Sequence, residues 1–425
     1  MKIAFISYEY PPDTSYGGIA TYVHQAAHML VRAGHLVEVF TASPTRTGFW
    51  QEEGITVHRI CLQQNQRSHF GDKITAAFVD RHQQIGFDVL EGPEIGAETR
   101  GIAQHLPTLP RVVKLHTPQY LIDQLNQIKP TVKMQLRRNI GALRRGQRPK
   151  PFPKYHYDQT QDIERDYTLS ADEITTPSKA LGELLIDCWH LPPTRVFTVP
   201  TPNVPTAELM RLPILPSSPN NSRKVVTFVG RLEQRKGVLD LAAAIPQVLR
   251  HYPQVIFRFV GATGLSPEPP EMMQPYLKRR LRSHRKSLDF IGPVSLESIP
   301  KILAKTDICI FPSLWENFPN VCLEAMAAGK AIVGSHAGGM ADMLDGGKAG
   351  ILVAPRQPQQ IASAVLKLLK DDDLCMQLGA AARERVCTQY NTHKISALQI
   401  ASYKRAIQRA TERQEHSIQL TSSTG

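Results

Sequence analysis

The sequence predicts an α/β protein built of two parallel, doubly wound domains. Three observations predict it. Short apolar runs alternate with helical patterns in both halves of the 425 residues, the pattern of parallel sheets covered by helices. A stretch rich in Pro, Ser and Asn separates the halves. In the second half, strands run into Gly or Pro-Ser loops at Val229-Gly230, Val260-Gly261, Ile291-Gly292 and Phe311-Pro-Ser313. Such loops frame a ligand crevice outside the carboxyl ends of the strands.

In the first half the strands are expected at Ile3–Ser7, Val37–Thr41, Thr56–Cys61, Val89–Glu91, Val112–His116, Glu173–Thr176 and Val196–Val199. Between the first two, Ile19, Val23, Ala26, Ala27, Leu30 and Val31 recur at helical spacing, and Gly34 closes that helix. The first domain spans 1–205. Residues 206–222 read as a linker, because its prolines fix φ and remove donors. The second domain, 223–388, carries strands at Val225–Val229, Ile256–Val260, Phe290–Ile291, Ile308–Phe311, Ala331–Gly334 and Ile351–Val353. Helix follows from Gln359 to Val386, with Asp371-Asp-Asp373 as a solvated turn. A helix over 389–415 is expected to cross back to the first domain, and 416–425 reads as a disordered tail.

Composition narrows the function. With 42% hydrophobic and 21% charged residues the chain is of ordinary soluble type. Its net charge of +12 is clustered: nine Lys/Arg lie between Lys129 and Tyr157 and six between Met272 and Leu288, with no acid in either stretch. Such clusters suit an anionic ligand or a membrane surface. Nucleic acid is excluded as a partner, since no recognition-module signature accompanies them. The six cysteines show no metal spacing, and Cys309 and Cys322 lie in apolar runs, as in a reducing compartment. Met1–Tyr10 reads as a first strand rather than a signal peptide, so the expected address is the cytoplasm.

Chemistry concentrates in Phe311–Gly329. There a strand turns through Pro312 and Pro319 and enters a helix for which Asn320 is the expected N-cap. Glu316 lies in the turn and Glu324 in the helix. A helix N-terminus suits phosphate, and two carboxylates can accept from sugar hydroxyls, so the stretch fits a nucleotide-sugar. Its cationic partner is Phe228–Gly237, where Arg231 and Lys236 stand at a strand end and can neutralise a diphosphate.

In this order, Val229-Gly-Arg-Leu-x-x-x-Lys-Gly237, the Glu316/Glu324 pair, Gly338-Gly339 and Asp345–Val353 resemble the retaining glycosyltransferases of family 4 (glycosyl transferases group 1). That family has the GT-B fold, two Rossmann-like domains facing a central cleft. The resemblance implies that Arg231 and Lys236 bind the donor diphosphate, Glu316 the sugar hydroxyls and Glu324 the ribose. It implies that the backbone from Asn317 to Val321 (Asn317, Phe318, Pro319, Asn320 and Val321) supports the leaving phosphate, with Gly17 and Gly18 beneath it. His116 would stand near the reacting sugar, and Ser178 would face the cleft. Neither a metal nor a cofactor is implied: the donor is a substrate, and the acceptor is a glycan, lipid-linked or small molecule. Two departures stand out. Gly338-Gly-Met-Ala-Asp342 replaces the family's Gly-Gly-x-Pro-Glu, and Asn203 sits in Pro-Thr-Pro-Asn-Val where relatives have Pro-Asn-Gly. The basic segment 133–154 can serve as a peripheral membrane contact, a solvated face or a patch for an anionic acceptor. Alternatives in function are epimerase-like chemistry on the same fold, or donor binding without transfer.

Overall fold

The computed structural model describes residues 1–14, 17–127, 132–144, 146–148, 156–202, 205–214 and 223–423. The first sheet contains β1 (Lys2–Ile6), β2 (Leu36–Ser43), β3 (Gly48–Glu52), β4 (Ile55–Cys61), β5 (Val89–Pro93), β6 (Arg111–Lys114), β7 (Glu173–Thr176) and β8 (Val196–Thr198). Their order is β3-β4-β2-β1-β5-β6-β7-β8. The second sheet contains β9 (Val225–Val229), β10 (Ile256–Val260), β11 (Leu288–Gly292), β12 (Ile308–Phe311), β13 (Ala331–Ser335) and β14 (Ile351–Val353), ordered β11-β10-β9-β12-β13-β14. Both are Rossmann-like: the strand order reverses beside β1 in one sheet and beside β9 in the other. The continuous apolar runs are explained by burial on both faces. Ile3 to Ile6 and Ile308 to Phe311 are all buried, as expected of central parallel strands.

Four local expectations are corrected. β3 pairs antiparallel with β4 and was not expected, because Gly48–Glu52 is a half-exposed edge without a clear apolar run. Within the linker, Ala207–Arg211 forms a short helix capped by Thr206, whose side chain accepts from the Leu209 amide; the flanking prolines bound it rather than interrupt it. The rest of the linker, 215–222, lies outside the described residues, as does Asn203. Asp371 does break the helix, exposed between Pro358–Lys370 and Asp372–Gln389, but it is also the N-cap of the second helix, accepting from the Leu374 amide, and Asp372 and Asp373 are helical rather than part of a turn. The final helix runs from Thr392 to Ser423, so most of the expected disordered tail is helical.

That final helix lies on the first domain. Gln399 Nε2 donates to Tyr22 Oη (2.9 Å) and to Glu91 (3.1 Å), and Tyr403 Oη donates to Glu91 (2.8 Å). Arg405 and Arg409 both pair with the fully buried Glu173. A buried carboxylate is tolerated where donors of this kind surround it.

Candidate active site

The site forms where both sheets reverse their strand order, at the carboxyl ends of β9 and β12 on one side and of β1, β5 and β6 on the other. On the second domain's side two loops are locked together through backbone. The Leu314 amide donates to the Arg235 carbonyl at 2.7 Å. Gly237 has φ +71, and a Cβ there would lie 1.8 Å from the Pro312 carbonyl oxygen. Only glycine fits. Gly237→Ala is expected to cost more than about 1 kcal/mol, read as a lowered Tm, and to spread the two loops apart.

This lock places Lys236 Nζ 2.8 Å from Glu316 Oε1, with Ser313 Oγ donating to Oε2 at 3.3 Å. Arg235 Nη1 lies 3.4 Å from the same carboxylate. Burial alone would raise the Glu316 carboxyl, but Lys236 and Arg235 outweigh it and hold it below the usual range. Burial lowers the Lys236 ammonium despite its carboxylate partner. Arg231 is not brought into this cluster. Its side chain is 64% exposed, 3.8 Å from Glu233.

Below the loop, the helix Asn320–Ala327 starts one residue earlier than expected: Pro319 holds the N-cap position and Asn320 is the first helical residue. Among the described residues the backbone amides of Asn320 and Val321 have no protein acceptor, as the first turn of a helix leaves them. On this helix Asn320 Oδ1 and Glu324 Oε2 are buried without a partner, and positions four apart share a helix face. An unsatisfied buried polar atom costs about 1–3 kcal/mol, so two on one face point to a hydroxyl-bearing ligand. The side chain of Phe318 is core, edge-on to Tyr390 at 5.3 Å, and Val321 packs against the same core.

Burial pushes the Glu324 carboxyl up to about 7. The folded protein therefore binds this proton more tightly than the unfolded chain does. The ionisation penalty is absent below the ordinary carboxylate pKa, grows as pH rises from there to about 7, and is full above it. Glu324→Gln is expected to raise stability at pH above about 8 by roughly 1–3 kcal/mol and not at all near pH 4, as followed by Tm, while weakening nucleotide binding.

On the first domain's side Gly17 is the N-cap of the helix Gly18–Arg32. Its φ of −173 is open to any residue, an added Cβ would come no nearer than 3.8 Å to Glu9, and at Gly18 it would meet nothing within 4 Å. Among the described residues no atom requires these glycines, and the space beside them could admit a ligand. His116 lies two residues beyond β6. Its amide donates to both oxygens of the buried Glu94 at 2.8 Å, and its ring sits edge-on to Tyr22 at 5.3 Å. Burial, then the charge of Lys114, pushes the imidazole down to about 3, so it is neutral.

The two halves touch through specific groups. Ser178, N-cap of the helix Lys179–Trp189, donates from Oγ to Asn317 Oδ1 at 2.8 Å, and Asn317 Nδ2 donates to the His116 carbonyl. Within the second domain, the Gly339 amide donates to the Glu316 carbonyl at 2.9 Å. Asp342 accepts from the Lys179 amide at 3.0 Å while Arg385 donates to its carbonyl at 2.8 Å. The loop that departs from the family pattern is thus tied across the seam. Trp315 packs against a first-domain cluster that includes Leu115, Tyr167 and Trp189.

Sequence reasoning missed Arg235, Glu94, Trp315 and the bridging side chain of Asn317. Arg235 stands inside the Arg231–Lys236 motif, so its charge was visible; the others carried no signal. Among the described residues no group of three or more His, Cys, Asp or Glu side chains could hold a metal ion, and no helix is long and apolar enough to cross a membrane.

Two facing Rossmann-like domains with a seam between them are the architecture of the GT-B glycosyltransferases. The chain belongs to the group 1 glycosyltransferases: residues 223–371 match the family described as "Glycosyl transferases group 1", and residues 17–202 match the "Glycosyl transferase 4-like domain". It is similar to glycogen synthase of Mycobacterium tuberculosis, 25% identical over 410 residues that make up 93% of this chain and 92% of that one. In fold it resembles sucrose-phosphate synthase from Thermosynechococcus elongatus, with TM-score 0.70 at 22% identity, covering 96% and 99% of the two chains. It likewise resembles Anabaena HepE in complex with UDP-glucose, with TM-score 0.63 at 18% identity, covering 94% and 98%. The protein is a glycosyltransferase enzyme.

Proposed function

We propose that the enzyme moves a sugar from a nucleoside-diphosphate sugar to a hydroxyl of a glycan, lipid-linked or small-molecule acceptor, with retained anomeric configuration and without a metal. The observation that carries this reading is the Lys236–Glu316 pair at the strand ends, set beside the buried, unpartnered Glu324 oxygen. Lys236, Arg231 and the amides of Asn320 and Val321 take the diphosphate. Glu324 takes the ribose hydroxyls and Glu316 those of the sugar. Gly17 and Gly18 leave room for the phosphates from the opposite side.

In the step, the bond from the anomeric carbon to the diphosphate oxygen breaks and a bond to the acceptor oxygen forms on the same face. The acceptor's proton goes to the departing phosphate. Cations and helix-end amides fixed in place stabilise the charge that develops on the leaving group. His116 suits the sugar side because it is neutral: a positive imidazolium would oppose the oxocarbenium character of the transition state.

The likeness in fold to HepE, whose structure holds UDP-glucose, makes UDP-glucose the first donor to try. A thermal-shift and donor-hydrolysis screen across UDP-, GDP- and ADP-sugars tests the reading. One nucleotide class should raise Tm in the wild type and do so less in Glu324→Gln; a protein stabilised by none would sink it.

We propose also a cytoplasmic enzyme that seats peripherally on an anionic membrane. The helix Val132–Arg144 exposes Leu136, Ile140 and Leu143 by 60%, 43% and 64%, three and four residues apart within the basic segment 133–154. Each cation near an anionic leaflet contributes about 1 kcal/mol. Co-sedimentation with phosphatidylglycerol vesicles should fall at least about tenfold in a Leu136→Ser/Leu143→Ser variant; equal binding would remove the proposal.

A further inference from the structure

The loop that holds Lys236 carries more charge than the proposed reaction uses. Arg231, Arg235 and Lys236 share it with Glu233, and Glu316 faces it from the next loop. Lys236 spends donors on both oxygens of Glu316, yet the proposed function asks the same ammonium to meet a diphosphate. When it turns, Glu316 would stand as a nearly buried carboxylate beside an incoming polyanion. A buried charge left without a partner is strongly unfavourable and takes up a proton instead. A protonated Glu316 is a poorer acceptor for sugar hydroxyls.

The loops themselves cannot part to relieve this. The Leu314–Arg235 backbone hydrogen bond and the Gly237–Pro312 contact fix them to each other, so any exchange is a matter of side-chain rotation. One side chain is placed for it. Arg235 Nε lies 2.8 Å from Glu233 Oε1, a contact of opposite charges without hydrogen-bond geometry, and its Nη1 donates to Glu316 Oε1 at 3.4 Å. That second distance is at the outer edge of a hydrogen bond and can shorten. The fork geometry lets one guanidinium serve both carboxylates.

We infer that Arg235 is a positioning residue that takes over Glu316 when Lys236 turns to the diphosphate, so that Glu316 stays ionised and aimed during transfer. The inference rests on the proposed diphosphate role of Lys236. It gives Glu233 a purpose as well: it keeps Arg235 from straying to the phosphate itself.

Calorimetric titration with inorganic pyrophosphate tests this without knowledge of the base, sugar or acceptor. Heats measured at about pH 6.5 in buffers of different ionisation enthalpy give the protons taken up on binding. Wild type is the reference, and Arg235→Met should take up more, approaching about one additional proton per diphosphate bound. Arg235→Lys should restore the wild-type count in part, and Arg231→Met should weaken binding with no extra proton. Arg235→Met also removes the cation beside Glu233, so the proton count is repeated with Glu233→Gln in both the wild-type and the Arg235→Met background. Glu324, pushed up to about 7 by burial, and the neutral His116 are present in wild type and variants alike. The Cys322 thiol is raised far out of range by burial, and the first-domain helix Gln119–Asn126, which packs against residues 234–236, carries Asp123. Identical proton uptake in wild type and Arg235→Met would overturn the inference while leaving the diphosphate site standing. A wild type that binds no pyrophosphate would overturn both.

Discussion

Glu316→Gln is expected to cut sugar transfer by about 10²–10³-fold while nucleoside diphosphate binds as tightly as in the wild type, or more tightly. The first effect follows from the loss of an ionised acceptor for the sugar hydroxyls. The second follows from the ion pair: Lys236 is engaged with Glu316 at 2.8 Å, and a diphosphate must compete with that carboxylate for the ammonium. A neutral amide releases it. Single-turnover transfer and calorimetry with UDP separate the two effects. Wild-type turnover in this variant would remove Glu316 from the reaction, and weakened UDP binding would mean that Lys236 needs Glu316 to hold its place.

Gly339→Ala is expected to abolish most transfer without unfolding either domain. Gly339 has an ordinary backbone conformation, with φ −74, so alanine brings no local strain. The obstacle is space. An added Cβ would lie 1.9 Å from the Asn317 carbonyl oxygen and 2.4 Å from Ser178 Cβ, one contact on each side of the seam. A methyl group there wedges the Ser178–Asn317–His116 linkage open, and misplacement by about 1 Å can cost on the order of 10²-fold in rate. Activity near wild type would show that the seam need not close this tightly. A large drop in Tm would show that the contact supports the fold rather than closure. The same variant in UDP-binding assays should look nearly normal, because Lys236, Arg231, Glu324 and the amides of Asn320 and Val321 all belong to the second domain.

Much of this architecture was legible because its signals are local. Buried parallel strands such as Ile308–Phe311 announce themselves as unbroken apolar runs, and Gly34 and Gly237 mark turns that need a positive φ. Glu316, Glu324 and Lys236 were found because their residue types carry the chemistry at strand ends. What could not be read depends on partners distant in sequence. Glu94 looks like part of a turn in Glu-Gly-Pro-Glu, and only the fold reveals that it holds the His116 amide. Asn317 was valued for its backbone, yet its side chain spans 139 residues of sequence to reach Ser178. Arg231 and Arg235 are indistinguishable by charge. Burial separates them, leaving the first at the solvent edge and setting the second against Glu316. The final helix went further than expected because a polar, Ser/Thr-containing end gives no stop signal that distinguishes helix from coil.

That helix changes what it means to divide the molecule. The chain passes from the first domain to the second between 202 and 223 and returns after Gln389, so a piece beginning at Arg223 carries its own grip for the other half: Gln399 and Tyr403 for Glu91, Arg405 and Arg409 for Glu173. Two genes, one encoding 1–214 and one encoding 223–425, should therefore yield a split enzyme whose parts co-purify and regain activity on mixing. Shortening the second part to end at residue 391 should leave two fragments that no longer find each other.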